Sequence, residues 1–492
     1  MSPAPIVIDG CAVATMDGSG PADPGTEYRS GHVIVADGRI AATGPGPAPR
    51  TEGAIVVNGS GCLATPGLVN THHHLYQWLT QGRAQQSTLF DWLTELYPVW
   101  ARIGPDQVHA AATAGLAWLA LSGCTTSTDH HYIFPKHGAG GGAGPRGGAG
   151  QGGRAGTRGG AGAFAEPLEA EIAAAAAVGL RFHPCRGSMD LGASAGGLPP
   201  DEVVEDTDAA LAATAAAIAA YHDPSPGAMV RIAVGPCSPF SASAELMRES
   251  AALARATGTR LHTHLAETSD EEDYCREQTG LSPAEYAEEL GWLGDDVWLA
   301  HCVHLDDAAV GRLAATGTAV AHCPSSNGRL GSGIAPVRKL LAAGVTVGLG
   351  VDGPASSEAV RLGGELHQAL LSARSRDGDG PGALSARQAL WMATRGGAGC
   401  LGRDDETGSL RPGALADVAL WRLDTLAHDA IAHGPGGDPV AALVLGPPAP
   451  LALLLVGGNP VVQDGELRST RAAAAARAVR AARSRLFGDE PA

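Results

Sequence analysis

The sequence predicts a (β/α)8 barrel flanked by a small β-domain, a β-sandwich that the two ends of the chain build together. Between residues 66 and 404, eight short apolar runs alternate with helical patterns, as parallel strands and helices do around a barrel. Valine- and isoleucine-rich runs broken by Gly, Asp and Pro occupy both chain ends. Histidine or acidic residues follow several predicted barrel strands, where barrel enzymes place their active sites. A doubly wound open sheet is the alternative fold.

Composition narrows the class of protein. The chain of 492 residues has a formal net charge of −17 and a hydrophobic fraction of 44%. It can bury a large core, and neither nucleic acid nor an anionic membrane surface is expected as a partner. No signal segment is visible at the start, and the longest charge-free run, 440–463, is broken by prolines and glycines. Because the nine cysteines contain no C-x-x-C pair, we expect reduced thiols and a cytoplasmic enzyme.

Residues 1–65 and 405–467 are assigned to the composite β-domain. Asp37-Gly38 stands between two apolar segments, and this dipeptide favours a two-residue hairpin turn. The same alternation of short apolar runs and turn residues returns at 413–421 and 451–466. We therefore expect a small antiparallel sheet to which both chain ends contribute.

Residues 66–404 are assigned to the barrel. Its first predicted strand, 68–71, follows the breaker Pro66-Gly67. Helices are predicted over 105–123, with proline in the first turn and glycine at the stop, and over 201–220, which is acidic early and alanine-rich later. The other seven strands are predicted at 125–129, 180–184, 231–236, 261–265, 297–302, 318–323 and 345–351.

Two segments depart from this alternation. Residues 138–163 are almost entirely Gly and Ala, and their accidental matches to G-x-G-x-x-G have no strand–helix context that would support a dinucleotide site. We expect a disordered insertion on the catalytic side of the barrel. Residues 468–492 are assigned to an Ala/Arg-rich helix and a tail, and the helix is expected to be a terminal strut or a partner-facing surface.

The first barrel strand ends in three histidines, His72, His73 and His74. If strand geometry continues to the tip, His72 and His74 share one face and His73 points away. Two imidazoles on one face can bind a single metal ion. A surface histidine cluster is the simpler interpretation.

Residues of matching chemistry follow three further predicted strands. His264 lies near the end of the fifth strand, with Glu267 three residues later; His301 lies near the end of the sixth, and Asp352 follows the eighth. One such residue is usually structural, but their coincidence at barrel strand ends indicates catalysis. Three neutral histidines and a carboxylate can hold one divalent ion with a water whose pKa falls toward about 7. A glutamate that does not bind the metal can carry a proton from water to a substrate nitrogen, which is aminohydrolase chemistry.

These residues together resemble the amidohydrolase superfamily, in its mononuclear, deaminase-type branch, over essentially the whole chain. The resemblance implies that Asp352 is a metal ligand and proton acceptor, that Glu267 is the proton shuttle, and that His301 orients the hydroxide and stabilises the adduct. The other implied metal ligands are His72, His74 and His264. Gln77 matches the purine-contacting glutamine of guanine-deaminase-like relatives.

Within this superfamily, the segments 71–77, 89–102, 124–135, 186–192 and 323–332 are similar to the 8-oxoguanine deaminase family, and hydroxyatrazine-type triazine hydrolases share much of the pattern. The resemblance implies deamination of 8-oxoguanine to urate and ammonia. Hydrolysis of a triazine or of another aminated heterocycle, such as guanine or isocytosine, is the alternative. Arg186 is a candidate donor to a ring carbonyl, and a salt-bridged surface arginine is its simpler interpretation. The insertion at 138–163 is not part of the family pattern.

The expected cofactor is one Zn²⁺ per subunit, although Fe²⁺ or Mn²⁺ fits the same N and O ligands. A second metal would commonly need a carboxylated lysine, and the only lysines, Lys136 and Lys339, lie outside the fourth strand. Structural or supporting roles are expected for four further histidines, His130, His131, His262 and His304. We expect a small heterocyclic substrate as the partner and a homo-oligomeric chain. A protein that only binds a ligand is disfavoured, because binding needs no proton relay such as Glu267 and Asp352.

Overall fold

The structure, a computed structural model, describes residues 4–135, 163–376 and 380–488. The chain begins with five strands of a β-domain. Asp37 and Gly38 form the predicted hairpin turn, with positive φ angles of 51° and 72°. The strands are β1 (Ile6–Ala14), β2 (Glu27–Ala36), β3 (Arg39–Pro45), β4 (Ile55–Asn58) and β5 (Cys62–Pro66).

Eight strands then form a closed parallel barrel, which confirms the predicted fold class. They follow one another in chain order, and the eighth pairs with the first, with Leu349 opposite Asn70. Val69, Ala233 and Trp298 are among the side chains that fill the interior. The strands, each of which overlaps a predicted strand, are β6 (Leu68–Asn70), β7 (Cys124–His131), β8 (Arg181–Ser188), β9 (Ala233–Pro236), β10 (Arg260–Leu265), β11 (Val297–His301), β12 (Ala319–His322) and β13 (Val347–Leu349).

Helices connect these strands and lie around the barrel. The predicted helix over 105–123 is present as α2 (Pro105–Leu121), whereas the helix predicted from residue 201 begins at Thr207. The Asp206 carboxylate accepts a hydrogen bond from Ala209 N at 3.1 Å and thereby caps this helix. The α-helices of the described residues up to the end of the barrel are α1 (Leu89–Trp100), α2 (Pro105–Leu121), α3 (Pro167–Val178), α4 (Thr207–Tyr221), α5 (Ala244–Thr257), α6 (Ser269–Thr279), α7 (Pro283–Glu289), α8 (Asp307–Thr316), α9 (Pro324–Arg329), α10 (Val337–Ala342), α11 (Leu362–Arg376), α12 (Ala386–Trp391) and α13 (Gly397–Cys400).

The C-terminal part of the chain returns to the β-domain and completes a nine-stranded sheet. It adds β14 (Val418–Arg422), the short helices α14 (Asp429–Ala432) and α15 (Pro439–Leu445), β15 (Leu451–Val456), β16 (Asn459–Gln463) and β17 (Glu466–Leu467). The antiparallel pairing of β14 with β5 joins the two chain ends. The sheet is mixed and not wholly antiparallel, because β1 pairs in parallel with β4 and β5.

The last helix, α16 (Ala472–Phe487), packs against α2 with a buried face that includes Val479 and Leu486. Among the described residues, no helix is both long and apolar enough to cross a bilayer. All nine cysteines are buried and carry free thiols. The predicted insertion at 138–163 lies outside the described residues, apart from Ala163.

Candidate metal centre and active site

The ends of four barrel strands bring the predicted polar residues together. His72 and His74 follow β6, His264 lies near the end of β10, and Asp352 follows β13. All are buried at the C-terminal end of the barrel. Asp352 has a positive φ of 57°, and His301, at the end of β11, has one of 69°. Such left-handed backbone in residues other than glycine costs free energy and recurs at functional sites, where it aims side chains inward.

Four ligand atoms lie at separations that suit one metal ion. His74 Nε2 is 3.1 Å from His264 Nε2 and 3.3 Å from Asp352 Oδ1. His72 Nε2 is 3.4 Å from the same Asp352 oxygen. A tetrahedral site with bonds of about 2.0–2.1 Å has ligand atoms about 3.3–3.4 Å apart. These three separations are close to that value, so the four side chains can hold one metal ion between them.

Hydrogen bonds on the far side of two rings leave the inward nitrogens unprotonated. His74 Nδ1 donates to His130 O at 2.8 Å, and His264 Nδ1 donates to Cys237 O at 2.6 Å. Burial lowers the pKa of both imidazoles, so the rings are neutral and Nε2 carries the lone pair. His72 Nε2 is buried without a hydrogen-bond partner in the described structure. An orphaned lone pair at this position fits a metal ion.

Asp352 is held so that one carboxylate oxygen faces the histidines. Ser326 Oγ and Ser356 Oγ donate hydrogen bonds to its Oδ2, and Oδ1 accepts from Gly353 N at 2.7 Å. Burial raises the pKa of Asp352, but the neighbouring imidazoles of His72, His74 and His301 outweigh burial and hold the pKa well below its ordinary value. The carboxyl group is therefore ionised, as a metal ligand must be.

Glu267 and His301 lie beside the four ligand atoms. Glu267 Oε2 is 3.6 Å from His301 Nε2, and Glu267 Oε1 is buried without a hydrogen-bond partner in the described structure. Burial raises the pKa of Glu267 to about 7. Burial lowers the pKa of His301, but the charges of Glu267 and Asp352 outweigh it and raise the pKa above the ordinary value. A carboxyl group with a pKa near neutrality can both accept and release a proton.

A cavity opens onto these residues, with an empty volume of about 370 Å³ that includes open solvent. Glu267, His301 and Asp352 form its polar wall. Six apolar or aromatic residues form much of the rest: Leu89, Trp92, Leu93, Tyr97, Tyr132 and Phe240. An apolar, aromatic pocket with a few convergent polar groups suits a flat heterocycle whose reacting atom meets the polar wall.

The structure does not place Gln77 and Arg186 in the lining of this cavity. The Gln77 side chain is buried and packs directly against the backbone of Gly353. The contact is so close that a Cβ atom added to Gly353 would lie 1.8 Å from Gln77 Oε1. Arg186 forms a two-pronged ion pair with Glu205, with N–O distances of 2.6 and 2.7 Å, and its guanidinium covers the Phe134 ring. The predicted contact of Arg186 with a ring carbonyl would require this ion pair to open.

The four histidines without an assigned role occupy different positions. His262 lies deeper in the barrel, with Nε2 2.8 Å from His72 Nδ1. His130 donates from Nε2 to Gly235 O at 2.6 Å. His131 Nδ1 is 2.8 Å from Glu171 Oε1, and His304 Nε2 is 2.9 Å from Ser332 O.

Two residues that the sequence analysis did not identify, Asn327 and Glu271, form hydrogen bonds that support the ends of the barrel strands β10 and β11. Asn327 Oδ1 accepts from His301 Nδ1 at 2.9 Å, and Glu271 accepts hydrogen bonds from Ala266 N and Glu267 N at 2.8 and 3.0 Å. Their polar side chains come shortly after strand ends, but nothing in the local pattern distinguishes them from residues that cap a helix.

Comparisons with known proteins show which family the chain belongs to. The sequence pattern of the amidohydrolase family matches residues 63–460. The chain is 42% identical to 8-oxoguanine deaminase of Pseudomonas aeruginosa, over 93% of this chain and 95% of that one. It is 37% identical to isoxanthopterin deaminase of an unknown prokaryotic organism, over 94% and 93% of the two chains.

A solved structure has the same fold. The crystal structure of atrazine chlorohydrolase from Arthrobacter aurescens TC1, complexed with zinc, superposes with a TM-score of 0.85 at 32% identity, covering 97% of this chain and 100% of that one. Family match, sequence identity and fold thus extend over nearly the whole chain. The protein therefore belongs to the amidohydrolase family, among relatives that include hydrolytic deaminases.

Proposed function

We propose that the protein is a zinc-dependent deaminase that converts 8-oxoguanine and water to urate and ammonia. The observation that carries the proposal is the meeting of three imidazole nitrogens and the Asp352 carboxylate beside Glu267 at the wall of an apolar cavity. The choice of substrate is supported by the 42% identity to an 8-oxoguanine deaminase. The choice of zinc is supported by the N and O ligand set and by the zinc in the similar chlorohydrolase structure.

We assign metal binding to His72, His74, His264 and Asp352. A divalent ion bound there lowers the pKa of a coordinated water toward about 7, so that a nucleophile is available at neutral pH. The protein offers this ion neutral imidazoles whose nitrogen lone pairs face the metal position, together with an ionised carboxylate. Because these groups are already oriented, binding requires little reorganisation.

Proton transfer is assigned to Glu267. As the oxygen of the attacking water bonds to the amino-bearing ring carbon, the carboxylate takes a proton from this water and gives it to the exocyclic nitrogen. This nitrogen leaves as ammonia when its bond to the ring carbon breaks, and the hydroxyl group left on the ring becomes the new carbonyl of urate by tautomerisation. His301 orients the attacking oxygen and stabilises the adduct. Because its Nδ1 donates to Asn327 Oδ1, donation from Nε2 to this oxygen requires the protonated ring. The raised pKa of His301 supports a ring that carries both N–H groups.

The mixed aromatic and polar lining of the cavity supports a flat heterocyclic ring as the substrate. Trp92, Tyr132 and Phe240 offer aromatic faces or edges in the lining of the cavity. Burying the ring against them leaves its amino-bearing carbon toward Glu267. The same walls would accept a triazine, so substrate comparison is the decisive test.

The test uses the full chain loaded with zinc and measures kcat/KM for 8-oxoguanine, guanine, isocytosine and hydroxyatrazine. We expect the highest value for 8-oxoguanine, with one urate and one ammonia formed per substrate consumed. Glu267→Gln serves as the control for contaminating activity. No turnover of any purine would overturn the proposal, and a preference for hydroxyatrazine would favour the triazine alternative.

A further inference from the structure

We propose that His262 is a positioning residue that fixes which nitrogen of the metal ligand His72 carries a proton. The proposal rests on the metal site assigned above and extends it to a side chain that contacts the ligand His72 but does not line the cavity. Its evidence is a chain of two hydrogen bonds in the interior of the barrel.

The two rings and a backbone carbonyl form a continuous hydrogen-bonded row. His262 Nδ1 lies 2.8 Å from Trp298 O, and His262 Nε2 lies 2.8 Å from His72 Nδ1. Both histidines are completely buried, so water does not compete for these bonds. The row connects β11 through β10 to the residue that follows β6.

The Trp298 carbonyl determines which atom donates in each hydrogen bond of this row. Trp298 O can only accept, so His262 Nδ1 carries the hydrogen in the first bond. A neutral imidazole has a single N–H, so His262 Nε2 is an acceptor and the hydrogen of the second bond belongs to His72 Nδ1. His72 Nε2 is then left with its lone pair directed at the metal position.

The opposite arrangement would block the site. A proton on His72 Nε2 would occupy the lone pair that faces Asp352 Oδ1 at 3.4 Å. His74 and His264 avoid this problem by donating directly to backbone carbonyls. For His72 the acceptor is a side chain, and a side chain can be replaced without altering the backbone.

Trp298 holds the row at both ends. Its indole Nε1 donates to Thr71 O at 3.0 Å, immediately before His72, and its ring stacks on His262 with centroids 4.5 Å apart and planes at 15°. A closed loop through Trp298, His262, His72 and Thr71 thus fixes the position as well as the tautomer of the ligand. If His262 were only a packed core residue, its loss would change stability but not metal affinity.

The experiment compares His262→Gln with His262→Met in the full chain. The two replacements have similar length, but only glutamine offers an oxygen to accept from His72 Nδ1. The Kd for Zn²⁺ is measured by competition with a chromophoric chelator, and the melting temperature of the metal-free protein is measured in parallel. We expect His262→Met to raise the Kd about 10–100-fold, as loss of a ligand's supporting partner typically does, and His262→Gln to raise it clearly less.

His183→Met is the matched control. His183 is also a buried barrel histidine, its ring lies 5.8 Å from the same Trp298 ring, and its Nδ1 has no hydrogen-bond partner in the described structure. We expect this variant to lose stability while binding zinc with wild-type affinity.

Three results would overturn the proposal: equal Kd values for the Gln and Met variants, wild-type affinity in both, or an equal loss in His183→Met. If His262→Met does not fold, His262→Phe replaces it, because phenylalanine keeps the stacking on Trp298 and offers no acceptor. Absence of zinc binding by the unmodified chain would instead overturn the metal site itself.

Discussion

Glu267 is the residue on which the proposed proton transfer depends. In Glu267→Gln, the amide keeps the shape of the side chain but cannot accept a proton from water. We expect kcat for 8-oxoguanine to fall about 10²–10⁴-fold, whereas the zinc content of the purified protein stays at one per chain. An unchanged kcat would remove Glu267 from the reaction, and loss of zinc would instead make it a ligand.

The ionisation of the same residue predicts a pH dependence. Burial raises the pKa of Glu267 from 4.5 to about 7, and the charge of a bound cation acts in the opposite direction. Because only the carboxylate can accept the proton, kcat/KM should fall about tenfold per pH unit below this pKa. We expect the inflection between pH 4.5 and about 7. A profile of kcat/KM that stays flat throughout this range would contradict the assignment.

At the scale of single residues, sequence reasoning finds side chains whose chemistry and strand position coincide. The alternation of a strand predicts that His72 and His74 share a face, and the structure places their Nε2 atoms toward the same Asp352 oxygen. Arg186 shows that sequence reasoning does not identify the partner of a side chain when that partner is distant in the chain. Its partner Glu205 lies 19 residues further along the chain, and no local pattern reveals that the guanidinium is already paired.

At the scale of elements, the barrel strands are predictable because burial on both faces leaves continuous apolar runs between helices. The ends of helices are harder to predict than their presence. Helix α4 begins after Asp206, whose carboxylate caps it, and this is six residues after the acidic start of the predicted helix. The parallel pairing of β1 with β4 and β5 is also invisible locally, because strand direction within a sheet depends on the path of the intervening chain.

The terminal helix α16 supports a prediction at this scale. Leu486 is 5% exposed on the face that packs toward α1 and α2. In Leu486→Ala we expect the free energy of unfolding to fall by about 2–3 kcal/mol, because a cavity replaces the buried side chain. Arg477→Ala, on the exposed side of the same helix, should change it by less than about 0.5 kcal/mol. Denaturant titration distinguishes the two variants, and equal stability would mean that α16 is not docked in solution.

At the scale of the whole molecule, the candidate metal site unites distant parts of the chain. His72 and His74 follow the first barrel strand, His264 lies in the fifth, and Asp352 follows the eighth, which pairs with the first to close the barrel. The unfolded chain cannot hold these ligands together. Binding therefore adds its free energy to that of folding.

Metal removal is accordingly expected to lower the stability of the entire barrel and not only its activity. Free zinc at about 100 times its Kd should stabilise the folded chain by about 2.7 kcal/mol, which scanning calorimetry records as a higher Tm than in the chelator-treated protein. Glu267→Gln should retain this shift, because Glu267 is not an assigned ligand. Asp352→Ala should lose most of it, since the carboxylate bridges the strand ends where the barrel closes. A Tm that does not respond to zinc in the unmodified chain would show that the four ligand atoms do not bind the ion in the folded protein.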